Sequence, residues 1–123
     1  MAARRVEELV VWPLGDELRK KIHAITAKGE VSTDFRFRNQ MRDAASSTTR
    51  NVSDGFGRYC HKEFAQFLSI ARGSVFELAD HLRDGVARGY WPDDSIADLT
   101  ALCNRTIAAL THFIRYLKDH PDV

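Results

Sequence analysis

Apolar residues recur along this chain at steps of three and four, the spacing that lines one face of an α-helix. The first run is Val11, Leu14, Leu18, Ile22 and Ile25. Pro13 fits its first turn, where a missing N–H costs nothing, and Gly29 closes the segment. Ser32, Thr33 and Asp34 then offer hydroxyl caps and an acid for the next helix N-terminus. The second run is Phe37, Met41, Ala44, Ala45, Thr48, Val52 and Phe56. Its small central residues predict the close approach of a neighbouring helix. Ser46-Ser47-Thr48-Thr49 is poor helix material by propensity, yet the apolar period continues through it to Val52, so the segment reads as helix. The third run, Phe64, Leu68, Ala71, Val75, Leu78 and Leu82, is a bundle seam, with Arg83, Arg88 and Gly89 supplying C-terminal chemistry. The fourth follows Pro92, with Asp93 and Asp94 as cap and acidic first turn, and uses Ile96, Leu99, Cys103, Leu110, Phe113 and Leu117 before His120-Pro121 stops it. No strand-like alternation occurs. The pattern predicts an all-α, up-and-down antiparallel four-helix bundle with short connections, a single domain over 1–123.

Residues 51–64, NVSDGFGRYCHKEF, join the second run to the third and place a Gly-x-Gly beside Arg58, His61 and Lys62. A phosphate cradle would need GxxxxGK[ST], or GxGxxG after a strand, and neither pattern is present. Gly55 and Gly57 fall just past the last periodic positions of the second run, where left-handed backbone is expected. Glu63 stands three residues after Cys60, the spacing of a capping box with Cys in place of Ser or Thr. The stretch reads as helix stop, turn and helix start.

Composition narrows the classes. With 44% hydrophobic and 28% charged residues the chain can build one core as a soluble globular domain, and no apolar run approaches the roughly 20 residues of a membrane span. Arg4 and Arg5 are followed by Glu7 and Glu8, which is unlike a signal peptide. Cys60 and Cys103 lack CxxC spacing, which argues against a disulfide framework or structural zinc and for a cytoplasmic setting. The net charge of +1 is unevenly spread. Residues 34–62 carry Arg36, Arg38, Arg42, Arg50, Arg58 and Lys62 against Asp34, Asp43 and Asp54, a net of +3, while 63–123 are acidic. This arginine-rich middle is the candidate contact with RNA or DNA; the competing reading is a solvated helix face. Helical spacing spreads the six around the second helix and its turn, so one chain offers no tight basic stripe.

Catalytic readings are weaker. Di-iron bundles use carboxylates and Glu-x-x-His from several helices. Here Glu77, Asp80, His81 and Asp84 cluster on one helix, Glu77 to His81 spans four residues, and His112 is a lone partner. A metal-binding or enzymatic bundle centred on Glu77, His81 and His112 is therefore the alternative reading. Near Arg58, His61 and Lys62, Cys60 has surroundings that favour thiolate, but no oriented His–carboxylate relay accompanies it. The expectation is no catalytic residue, metal or cofactor. Leftover apolar positions instead favour self-association. Ile70 and Phe76 flank the third seam on opposite sides of Gly73, and Leu102, Ala109 and Tyr116 widen the fourth. Ile70, Gly73, Phe76, Leu102 and Tyr116 are the expected oligomer interface.

Several pieces together resemble the four-helix-bundle proteins encoded by intervening sequences in bacterial large-subunit ribosomal RNA genes, a family similar to the accessory variability determinant of diversity-generating retroelements. They are Val6-Glu7-Glu8-Leu9 with Val11-Trp12, Phe35 to Ala45 (FRFRNQMRDAA) and Asn51 to Arg58, then Lys62-Glu63-Phe64 with Phe67-Leu68. Ala71-Arg72-Gly73-Ser74, Glu77-Leu78 and Gly89-Tyr90 complete the set. The resemblance implies a bundle assembled as a ring-like homopentamer without recognised enzymatic activity. It also implies nucleic acid and a reverse transcriptase as partners of the retroelement relatives. Thr49 stands where the family usually has Pro, which should leave the second helix straighter. Cys60 stands where it has Ser or Thr, which weakens a cap.

Overall fold

The computed structural model describes residues 3–58 and 60–122; Tyr59, within the turn singled out above, lies outside them. Four helices carry the fold: α1 (Val11–Ile25), α2 (Phe35–Phe56), α3 (His61–Ala87) and α4 (Ala97–Asp119). Short 3-10 turns at Val6–Glu8, Glu30–Thr33 and Asp93–Ile96 precede α1, α2 and α4, and no strand occurs among the described residues. Each helix packs on its neighbours, α1 on α2, α2 on α3, α3 on α4, and α4 back on α1. Cross-helix pairs fix the antiparallel order: Trp12 with Ser53 and Thr26 with Arg42, Ser47 with Ser74, and Arg72 with Thr111. The chain is the four-helix bundle its apolar spacing predicts.

The seam residues of α2 and α3 are buried, Phe56 partly, and the Ser46–Thr49 run is helical throughout. Local polar bonds explain how that run tolerates its propensity. Thr48 donates to the Ala44 carbonyl and Thr49 to that of Ser46, while Ser47 and Ser74 meet at 2.9 Å across α2 and α3. The Ser47, Thr48 and Thr49 hydroxyls, which would compete with the helix, are thus satisfied within it or across one interface. In α4 the seam is wider than the heptad step suggests, with Leu102, Thr106 and Ile114 buried and Phe113 only partly so.

The helix ends bring corrections. Gly55 and Gly57 were expected to be left-handed, but Gly55 lies within α2 with ordinary helical backbone and Gly57 is its right-handed C-cap (φ −74°); positive φ belongs to Gly29 (78°) and Gly89 (81°). Gly55 is instead needed for space. A Cβ there would sit 2.6 Å from Phe64 Cδ1 and 2.9 Å from Phe67 Cβ. Cys60 does cap α3, its Sγ accepting the Glu63 N–H at 3.3 Å and facing Glu63 Oε2 at 3.7 Å. Asp34 caps α2 by accepting the Phe37 N–H at 3.3 Å, whereas the Ser32 and Thr33 hydroxyls turn back to Gly29 and Glu30 carbonyls. The α4 entry differs as well: Asp93 and Asp94 lie in a 3-10 turn, and no side-chain cap forms at α4.

Candidate nucleic-acid interface and assembly surfaces

Of the six basic residues expected to meet nucleic acid, three are engaged by their own chain. Arg42 is half-buried and donates to Thr26 Oγ1 at 2.9 Å and to the His23 carbonyl at 3.4 Å, tying α2 to the end of α1. Arg38 donates to the Ser32 carbonyl at 3.0 Å and lies over the Phe35 ring, and Arg58 lies over Phe67 at 4.7 Å from its centroid. Arg36, Arg50 and Lys62 are exposed. On the outer face of α2, however, Arg36 and Arg50 share the surface with exposed Asp43 and Asp54. Opposite charges interleave there, so α2 alone presents a mixed face, in line with its spacing.

What the spacing of α2 did not reveal is the company Arg50 keeps. Trp12, Asp16 and Arg19 recur at steps of four and three along α1, beside rather than within its apolar seam. They face Ser46, Thr49 and Arg50 across a shallow groove of about 560 Å³. The helices come close because Gly15 has no side chain: a Cβ there would lie 3.1 Å from the Thr49 methyl and 3.2 Å from that of Thr48. Trp12 Nε1 donates to Ser53 Oγ at 3.2 Å. Asp16 accepts from Arg19 Nη2 at 2.8 Å and pairs with Lys20 Nζ at 3.2 Å. The hydrogen bond from Arg19, aided by Lys20, holds the Asp16 carboxyl below its ordinary range. One turn beyond Arg19, the His23 imidazole is pushed down by burial and by the charges of Arg42 and Arg19.

The expected oligomer residues separate into two surfaces and one core position. Ile70 (53% exposed) and Phe76 (54%) stand on the outer side of α3, and the place a Gly73 side chain would occupy is open. Tyr116 (52%) is half-exposed elsewhere, on the α1 side of α4, stacked on His120. It lines a groove of about 940 Å³ that also includes Val10, Phe56, Phe64 and Phe113. Leu102 is the correction. It is only 3% exposed and belongs to the bundle's own core, so it adds nothing to an outer surface.

The alternative metal centre is not assembled. His81 Nε2 lies 3.5 Å from Glu77 Oε2, buried and without a hydrogen-bond partner, while its ring packs edge-on against Phe37. His112 follows Thr111, the partner of Arg72, and Arg72 is nine residues from His81, about 13 Å along α3 at the helical rise. Among the described residues no group of three His, Cys, Asp or Glu side chains is placed to hold a metal. The acids near His81 have other roles: Asp80 pairs with Arg83, and Asp84 with Arg88. Arg88 also reaches Asp34 at 3.0 Å, and the Tyr90 hydroxyl donates to the same carboxylate. The Tyr90 hydrogen bond is the main force lowering the Asp34 carboxyl pKa. This clasp joins the start of α2 to the end of α3, and the sequence reading missed it because its members lie 54 and 56 residues apart. Cys60 serves as the α3 cap, and burial pushes the Cys103 thiol up to about 11.

With the bundle and its surfaces in place, the comparisons decide the family. Residues 7–112 match the family model described as 23S rRNA-intervening sequence protein. The chain belongs to that family. The match covers all of α1 to α3 and most of α4, the portion carrying the sequence pieces noted above from Glu7 onward. The family description names no reaction. No curated protein matches the chain. None of the helices is long and apolar enough to cross a membrane, among the described residues.

Proposed function

We propose that this member of the intervening-sequence family is a non-enzymatic cytoplasmic scaffold that assembles into a closed ring of identical chains and binds nucleic acid weakly through repeated basic contacts. The observation that carries the reading is the outer face of α3, where Ile70 and Phe76 leave large apolar side chains half-exposed around an open Gly73. Soluble chains seldom keep such a patch uncovered. A ring needs two different surfaces per chain, one docking on the other at each contact. The α3 face and the apolar groove beside Tyr116 are the two that this bundle offers. Five chains is the number that the resemblance to the accessory variability determinant supplies, and a reverse transcriptase is the protein partner it supplies. Repetition around a ring would turn weak phosphate contacts into useful avidity.

The paired substitution Ile70→Glu and Phe76→Glu tests the assembly. Sedimentation velocity should show a monomer, with the helical circular dichroism of the parent retained. Binding is tested by titrating RNA and DNA at low and high salt. Neutralising Arg50 and Arg58 together should weaken it while the bundle stays folded. Absence of binding at low salt removes the nucleic-acid half of the proposal.

A further inference from the structure

We infer that the groove between α1 and α2 is a binding site for single-stranded nucleic acid, with Trp12 as a stacking platform and Arg19, Lys20 and Arg50 as its phosphate contacts. The inference rests on the nucleic-acid reading above and gives it a location that the arginine-rich segment of α2 alone does not. Single-strand sites combine a basic channel for the backbone with an aromatic ring on which an unpaired base can lie. This groove holds both. Trp12 is partly exposed at one end, fixed by its bond to Ser53. Arg19 and Lys20 stand on the α1 wall with side chains 37% and 70% exposed, and Arg50 is exposed on the α2 wall. Ser46 and Ser53 add hydroxyls able to donate to phosphate or sugar oxygens, while the Thr49 hydroxyl donates to the Ser46 carbonyl.

Asp16 is the one acid in the lining, so three cations against one carboxylate leave the groove net positive. Its bonds to Arg19 and Lys20 steady two long side chains at the rim, where an incoming phosphate meets them already ordered. The groove is too shallow, and its helices too closely packed at Gly15, to admit a duplex between its walls.

The test is a fluorescence titration of the full chain with an eight-residue oligouridylate, beside a duplex of equal length. Trp91 is buried and bonded to the Leu82 carbonyl, so quenching should come from Trp12 and vanish in Trp12→Phe, while anisotropy of a labelled oligomer still reports binding. Three phosphate contacts give a salt slope near −2, a loss of about 20-fold between 50 and 200 mM salt. Lys20→Glu with Arg50→Glu should weaken binding about 30-fold or more, by loss of two phosphate contacts and gain of two repulsions. Arg105→Glu with Arg115→Glu, the same change in net charge at exposed positions of α4 away from the groove, should change it less than about threefold. Equal losses in the two double variants would overturn the site but leave nucleic-acid binding standing. Duplex binding as tight as single-strand binding would overturn the stacking role. No binding by either form at 20 mM salt would overturn this inference together with the reading it rests on.

Discussion

Gly55 and Gly85 on one side, and Gly73 on the other, are all glycines inside long helices, and their surroundings are opposite. At Gly55 the missing side chain is replaced by the Phe64 ring, and at Gly85 by Trp91, whose Cε2 would lie 2.8 Å from an added Cβ. At Gly73 nothing lies within 4 Å. A helix-interior glycine costs about 1 kcal/mol relative to alanine. Burial of an aromatic ring offsets that cost at the first two positions. At Gly73 the chain offers no such return, and the flanking Ile70 and Phe76 remain half-exposed. The difference separates glycines whose space the fold fills from one that no part of the single chain covers.

The contrast can be broken most forcefully at the covered glycines. Gly55→Val should destabilise the bundle by about 1–3 kcal/mol through overpacking against Phe64 and Phe67. Chemical denaturation measures it, and an unchanged midpoint would mean that the rings yield freely. Gly73→Ala should do the reverse to the isolated chain, raising its stability by about 1 kcal/mol in the Ile70→Glu/Phe76→Glu background, where assembly is absent. On the proposed assembly, the same methyl group in the otherwise native chain should loosen association, because it would stand between Ile70 and Phe76 on the docking face.

A smaller effect is expected at the turn. Cys60→Ser should stabilise by about 0.5–1 kcal/mol, since a hydroxyl accepts the Glu63 N–H better than sulfur does. Thiol labelling sharpens the same point. In the folded protein Cys60 should react and Cys103 should not, because Cys103 is fully buried and its thiol is pushed up to about 11.

Acid gives a further check. Asp34 is lowered below its ordinary 3.8 by the Tyr90 hydroxyl first, then by the Phe37 N–H and Arg88. A carboxyl whose folded pKa is depressed contributes stability above its unfolded pKa and loses it as pH falls through the folded value. Unfolding followed below about pH 4 should therefore be less steep in pH for Asp34→Asn than for the parent.

Legibility in the sequence followed the range of the interactions. The four helices were readable because their apolar periods are local and uninterrupted, and even Ser46–Thr49 yielded to the period rather than to propensity. Gly55 was misread because a helix continuing beneath Phe64 and a helix ending at glycine look alike until the ring's position is known. Leu102 was misread for a related reason: its angular position on α4 is marginal, and only the packed bundle decides that it belongs to the core. The groove holding Trp12, Arg19, Lys20 and Arg50 joins residues from two helices, and no spacing along either one announces the other. A partial signal existed in Trp12, Asp16 and Arg19, which recur at helical steps off the apolar seam.

Assembly through the uncovered α3 face is the central claim, and the mass of the native chain in solution tests it most directly. Light scattering at micromolar concentration should give a single species of about 70 kDa, five chains of 14.0 kDa. A mass of 14.0 kDa under those conditions would contradict the claim, leaving Ile70, Gly73 and Phe76 as surface without a second copy to cover it.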